Sequence, residues 1–92
     1  MQLTTTEAVR LMEKLEVRFK KSRHHIRGFV MLDGKPILAV HTSFGKKDLP
    51  GNVPHRFRRS LKLTVDEFET LRRCHLNRDD FLGLLREKGV ID

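Results

Sequence analysis

The chain has no Trp, no Tyr and a single Cys among its 92 residues. One cysteine excludes an internal disulfide and any metal site built from several thiolates. Without Trp and Tyr, the core falls to Leu, Val, Ile, Met and six Phe. The aromatic platforms on which unpaired bases stack are not expected at the polar surface positions, so backbone and shape recognition is the better expectation for any nucleic-acid contact. The longest apolar run, Phe29 to Leu32, is far too short to span a bilayer, and the amino terminus lacks the basic start and apolar stretch of a signal peptide. A cytoplasmic protein with no membrane partner is expected. Acids are scarce in one region: between Lys14 and Lys62, thirteen Lys or Arg stand against three acids, a local charge of +10. Residues 1–13 carry −1 and residues 63–92 carry −2, for a total of +7. Such a block seeks a polyanion, because Lys and Arg beside phosphates release condensed counterions. The plainer reading is a solvated basic surface that serves solubility.

What is present reads as one small domain over residues 1–92, with residues 64–92 as a helical C-terminal extension. Thr4 followed by Glu7 is a capping box, and Ala8, Leu11, Met12 and Leu15 recur at helical spacing, predicting a helix from Thr5 to Glu16. Val17 to Lys20, Ser22 to Leu32 and Pro36 to Thr42 read as strands, and residues 43–54 as a Gly-, Pro- and Lys-rich loop. A short basic helix follows Pro54, with Phe57 and Leu61 as its buried edge and Arg56, Arg59 and Arg58 on its outer side. Thr64 with Glu67, and Asn77 with Asp80, predict two more helices starting near Val65 and Arg78, the second closing at Lys88-Gly89. Cys74 reads as a small apolar residue in a helix. The expected fold is α+β: a small antiparallel three-stranded sheet with helices packed on one face, in the order α-β-β-β-α, plus C-terminal helices.

Asp33-Gly34 marks a hairpin, since glycine supplies the positive φ of a tight turn, while Pro36 just beyond leaves room for a longer loop. An even loop with regular pairing places His24, Ile26, Gly28 and Val30 on the face of Ile37, Ala39, His41 and Ser43, so that His24 and His41 share a surface. An odd loop or a bulge sends one strand's side chains to the opposite face.

Histidine both accepts and donates a proton near neutrality, which is what cleavage of RNA through its own 2′-hydroxyl requires without a metal. His24 and His25, flanked by Lys20, Lys21, Arg23 and Arg27, are the sharpest candidates, although adjacent strand residues point to opposite sides. His41 is either a second acid–base partner or a polar residue on a sheet surface. His55 opens the basic helix, where free N–H groups favour a phosphate; His75 reads as a capping or packing residue. Lys46 and Lys47 make the long loop cationic, and Arg56, Arg58, Arg59 and Lys62 on and after the basic helix suit phosphate contact. No cluster shows metal-ligand spacing, and no phosphate-cradling glycine loop or nucleophile elbow is present, so no cofactor is expected.

The order of elements, with Ser22-Arg23-His24-His25-Ile26, resembles the HicA family of toxin ribonucleases over about Leu3 to Leu63. His41-Thr42-Ser43, the Gly45-Lys46-Lys47 loop and the tail LTVDEFETLRRCHLNRDDFLGLLREKG look similar to a broader HicA-like group. The resemblance implies a double-stranded-RNA-binding-domain-like fold and an acid–base role for His24, with His25 second because the local alignment can shift by one. It also implies metal-independent cleavage of messenger RNA and neutralisation by a cognate HicB-like antitoxin. Lys21 stands where the family carries glycine, and Phe44 where the broader group carries histidine. Two other readings remain: a non-catalytic nucleic-acid-binding module on the same scaffold, and an adaptor whose charge serves an acidic protein.

Overall fold

In the computed structural model, which describes residues 1–43 and 49–92, a helix is followed by an antiparallel meander and three further helices. The elements are α1 (Thr5–Lys14), β1 (Val17–Lys21), β2 (His25–Leu32), β3 (Lys35–Ser43), α2 (Val53–Ser60), α3 (Val65–Arg72) and α4 (Arg78–Glu87). The strands lie in the order β1-β2-β3, which is the expected α+β layout. Among the described residues no helix is long and apolar enough to cross a membrane.

Local chemistry explains where the helices begin. The Thr4 hydroxyl accepts from the Glu7 amide at 3.0 Å while the Glu7 carboxylate accepts from the Thr4 amide at 3.1 Å. Thr64 with Glu67 and Asn77 with Asp80 make the same reciprocal pair, satisfying amide donors that a helix start leaves without partners. α2 has no side-chain cap and relies on proline in its first turn, where the missing N–H is no loss. α3 ends in a way the sequence pattern does not suggest. Cys74, expected inside a helix, is exposed and adopts φ 63°, the left-handed geometry usually given to glycine. Its amide and that of His75 donate back to Leu71 and Thr70, closing the helix.

One face of the sheet carries the core. Val17, Ile26, Val30, Leu38 and Val40 are buried against Ala8, Leu11, Met12 and Leu15 of α1 and its C-cap, Phe57 of α2, Phe68 and Leu71 of α3, and Phe81 and Leu85 of α4. Phe57 and Phe68 meet edge to face with centroids 6.0 Å apart. Each fully buried Phe contributes on the order of 1.5–3 kcal/mol through removal from water. Gly28 in β2 permits the close approach of β1: a Cβ there would stand 2.5 Å from the Arg18 carbonyl oxygen and 2.7 Å from the Phe19 Cβ.

The hairpin turn has two residues, with Leu32 opposite Lys35 and both Asp33 (φ 52°) and Gly34 (φ 76°) in left-handed geometry. Beyond it the pairing is irregular. Met31 faces Pro36, but Val30 faces Leu38, which leaves Ile37 as an extra residue in β3. This bulge overturns the regular-pairing arrangement. It puts His25, Arg27 and Phe29 on the face of Ala39, His41 and Ser43, and turns Ile26, Gly28 and Val30 inward.

The bulge is braced from a distance. Arg78, at the start of α4, donates through Nη2 to the Met31 carbonyl, and its Nε lies 3.2 Å from the Glu16 carboxylate. Other cations also tie the layers together. Arg72 bridges Glu7 and Glu69, Lys88 joins Glu67 to the Lys62 carbonyl, and Lys14 reaches the Leu71 carbonyl.

Candidate nucleic-acid interface

The second face of the sheet is built by alternation. Side chains that do not point into the core point outward, and in register they form rows: Arg18, Phe29 and Ala39; Lys20, Arg27 and His41; and His25 with Ser43. Arg18, Lys20, His25, Arg27, Phe29, Ala39 and His41 are all exposed. Two shallow hollows meet along β2 on this face. One, of about 510 Å³, runs from His25, Arg27 and Phe29 across His41 to Val53 and Arg56 of α2. The other, of about 780 Å³, runs from the same stretch of β2 to Arg18, Lys20 and Lys21.

The cations divide by what they touch. Arg58, expected to contact phosphate, is instead half-buried and held on the Leu63 carbonyl, and with Arg72, Arg78, Lys14 and Lys88 it is engaged in holding the fold. No ion pair among the described residues involves Arg18, Lys20, Lys21, Arg23, Arg27, Arg56 or Arg59. Charge on the open face and at its α2 border is therefore uncompensated by the described part of the chain. Lys46 and Lys47 lie outside the described residues.

His25 begins β2 and stands opposite Ser43, while His41 stands opposite Arg27. The two histidines are thus diagonal neighbours on one face, a relationship that places residues roughly 7–8 Å apart. His24 is exposed in the connection between β1 and β2 and lines neither hollow. That connection is closed by Ser22, whose amide and hydroxyl both donate to the His25 carbonyl, at 2.8 and 3.2 Å. His24 and Arg23 sit at the rim of the open face; His25 and Arg27 lie on it.

His55 is the third residue of α2, half-buried, and its Nδ1 accepts from Arg58 Nη2 at 3.4 Å. Loss of hydration, followed by the charges of Arg58, the amino terminus and Arg59, pushes its pKa below the usual histidine value. A neutral imidazole that serves Arg58 is a positioning group for the turn after α2, where Arg58 Nη1 donates to the Leu63 carbonyl at 2.7 Å. His75 is exposed between α3 and α4, and its amide closes α3. Among the described residues no group of three His, Cys, Asp or Glu side chains is placed to hold a metal ion.

Phe29 is an exposed aromatic that the absence of Tyr and Trp does not foretell. The residue is 49% exposed, so the open face does carry an aromatic side chain at its centre. Alternation with buried Gly28 and Val30 would have found it once the inward face of β2 was known.

Compared with protein-family models, curated proteins and solved structures, the chain matches none. The functional reading therefore rests on the site.

Proposed function

We propose that the chain is an RNA-binding protein of the HicA-like toxin type that cleaves messenger RNA on the open face of its sheet, with His25 and His41 as the acid–base pair. The observation that carries this reading is the pairing of Arg27 with His41 beside a diagonal His25, on a face whose cations have no ion-pair partner among the described residues. Arg18, Lys20, Lys21, Arg27 and Arg56 would draw the phosphate backbone onto the sheet. Two imidazoles at diagonal spacing leave room for one phosphodiester between them. One imidazole removes the proton of a ribose 2′-hydroxyl, whose oxygen bonds to the adjacent phosphorus. The bond from phosphorus to the 5′ oxygen breaks as the other, protonated imidazole delivers its proton to that oxygen. The products are a 2′,3′-cyclic phosphate and a 5′-hydroxyl. Arg27 stabilises the charge that gathers on the phosphoryl oxygens in between.

His24, nominated by the resemblance, becomes a rim residue in this scheme. An acidic antitoxin surface that covers Arg18, Arg27 and Arg56 would block both binding and cleavage, which is the partner the resemblance implies.

The test is incubation of purified protein with end-labelled single-stranded RNA in the presence of a chelator, with identification of the new ends. Wild type is expected to yield cyclic-phosphate ends. His25→Ala and His41→Ala should each lower the rate by roughly 10²–10⁴-fold, while His24→Ala should retain most of it. Intact RNA with wild type, or equal rates in all four proteins, would remove the cleavage reading. Salt-dependent binding without cleavage would leave a nucleic-acid-binding module.

A further inference from the structure

Phe29 stands at the middle of β2, 49% exposed, where folding does not ask for a ring: the inward residues of this strand are Ile26, Gly28 and Val30. Its partners across the ladder are Arg18 on one side and Ala39 on the other. A methyl group is all that rises beside it on β3, and the two hollows of about 510 and 780 Å³ meet at this residue. Resting on the RNA reading above, we propose that Phe29 is a stacking platform for an unpaired base, so that the ligand of this face is single-stranded RNA and not a duplex.

Three features support that choice of ligand. An exposed phenyl face offers a stacking partner to an unpaired base, whereas bases inside an A-form helix have no accessible face to stack on it. The ring is bordered by Arg18, Lys20, Arg27 and Arg56, so an occupant must combine a flat apolar group with closely spaced negative charge, as a nucleotide does. A second copy of the same face would instead set these cations against their own counterparts. Register adds a consequence for chemistry. Phe29 pairs with Ala39 and Arg27 with His41, so Phe29 and His41 are diagonal neighbours, roughly 7–8 Å apart. A base stacked on Phe29 brings its own sugar and phosphate beside Arg27 and His41, which selects the bond to be cut next to an unpaired nucleotide.

The probe is a short 2′-O-methyl RNA carrying 2-aminopurine, which has no free 2′-hydroxyl to be cleaved, used as a single strand and annealed to its complement, with binding read by anisotropy and stacking by quenching of the 2-aminopurine emission. Wild type should bind the single strand more tightly than the duplex and quench the probe. Phe29→Leu keeps an apolar side chain at an exposed position but removes the π face. It should weaken single-strand binding about fivefold to a hundredfold and abolish the quench, with duplex affinity unchanged. Phe29→Tyr should restore both. Single-strand affinity that is indifferent to Phe29→Leu, or tighter binding of the duplex, would overturn the stacking role and leave the RNA reading in place. Failure of wild type to bind either form at low salt would overturn both. A Phe29-dependent dimer in light scattering would assign the face to a second copy and overturn the proposal.

Discussion

His25 and His41 are diagonal neighbours on the open face of the sheet because Ile37 is an extra residue in β3. Were Ile37 paired with Val30 and not bulged out, the pairing set by the Asp33-Gly34 turn would continue, and Ser43 would lie opposite His24. The side chains of His25, Arg27 and Phe29 would then no longer share a face with His41. The composition of the candidate site thus depends on one irregularity in the ladder, and the C-terminal part of the chain contacts the strand beside it. Arg78 reaches from α4 to the Met31 carbonyl beside the bulge.

Replacing Arg78 by Met removes this donor and the contact with Glu16 while keeping an extended side chain. Loss of a charged hydrogen bond to a carbonyl at the bulge should lower stability by about 1–3 kcal/mol. The change should appear as a lower urea midpoint with an unchanged slope, together with faster amide exchange around Met31 and Ile37. An unaltered midpoint would mean that the bulge holds without α4.

Acid should weaken the fold through two capping carboxylates. Burial alone would raise the pKa of Glu7, but the Thr4 amide and the Arg72 guanidinium, 2.9 Å away, outweigh it and hold the group below its ordinary value of 4.5. Glu67 is lowered in the same way, with Lys88 and the Thr64 amide overcoming burial. A carboxylate with a depressed folded pKa contributes fully above the unfolded value and loses its contribution as pH falls through the folded one. The urea midpoint of the wild type should therefore fall between about pH 5 and pH 3. The double variant Glu7→Gln, Glu67→Gln should start lower at neutral pH and lose less on acidification. Parallel curves for the two proteins would show that these carboxylates do not carry the acid sensitivity.

Local signals were legible in the sequence, and long-range ones were not. Thr4 with Glu7, Thr64 with Glu67 and Asn77 with Asp80 each act across a single helical turn, so their spacing alone locates the helix starts. Asp33-Gly34 likewise declares its turn through the backbone freedom it needs. The register beyond the turn is braced by a contact between residues 47 positions apart, which no local pattern reveals. Cys74 misled for a different reason: tertiary closure around buried Leu71 and Leu76 holds a non-glycine residue in the left-handed region. The basic surface was visible as composition. Its division into cations that hold the fold and cations left for a ligand required the ion pairs of Arg72, Arg78 and Lys88.

An amide-resolved NMR titration with a short single-stranded 2′-O-methyl RNA at low salt reads the open sheet face itself. Shift changes should gather on Arg18, Lys20, His25, Arg27, Phe29 and His41, extend to Arg56, and shrink as salt is raised. Changes confined to α3 and α4, or none at all, would contradict a nucleic-acid face on this sheet.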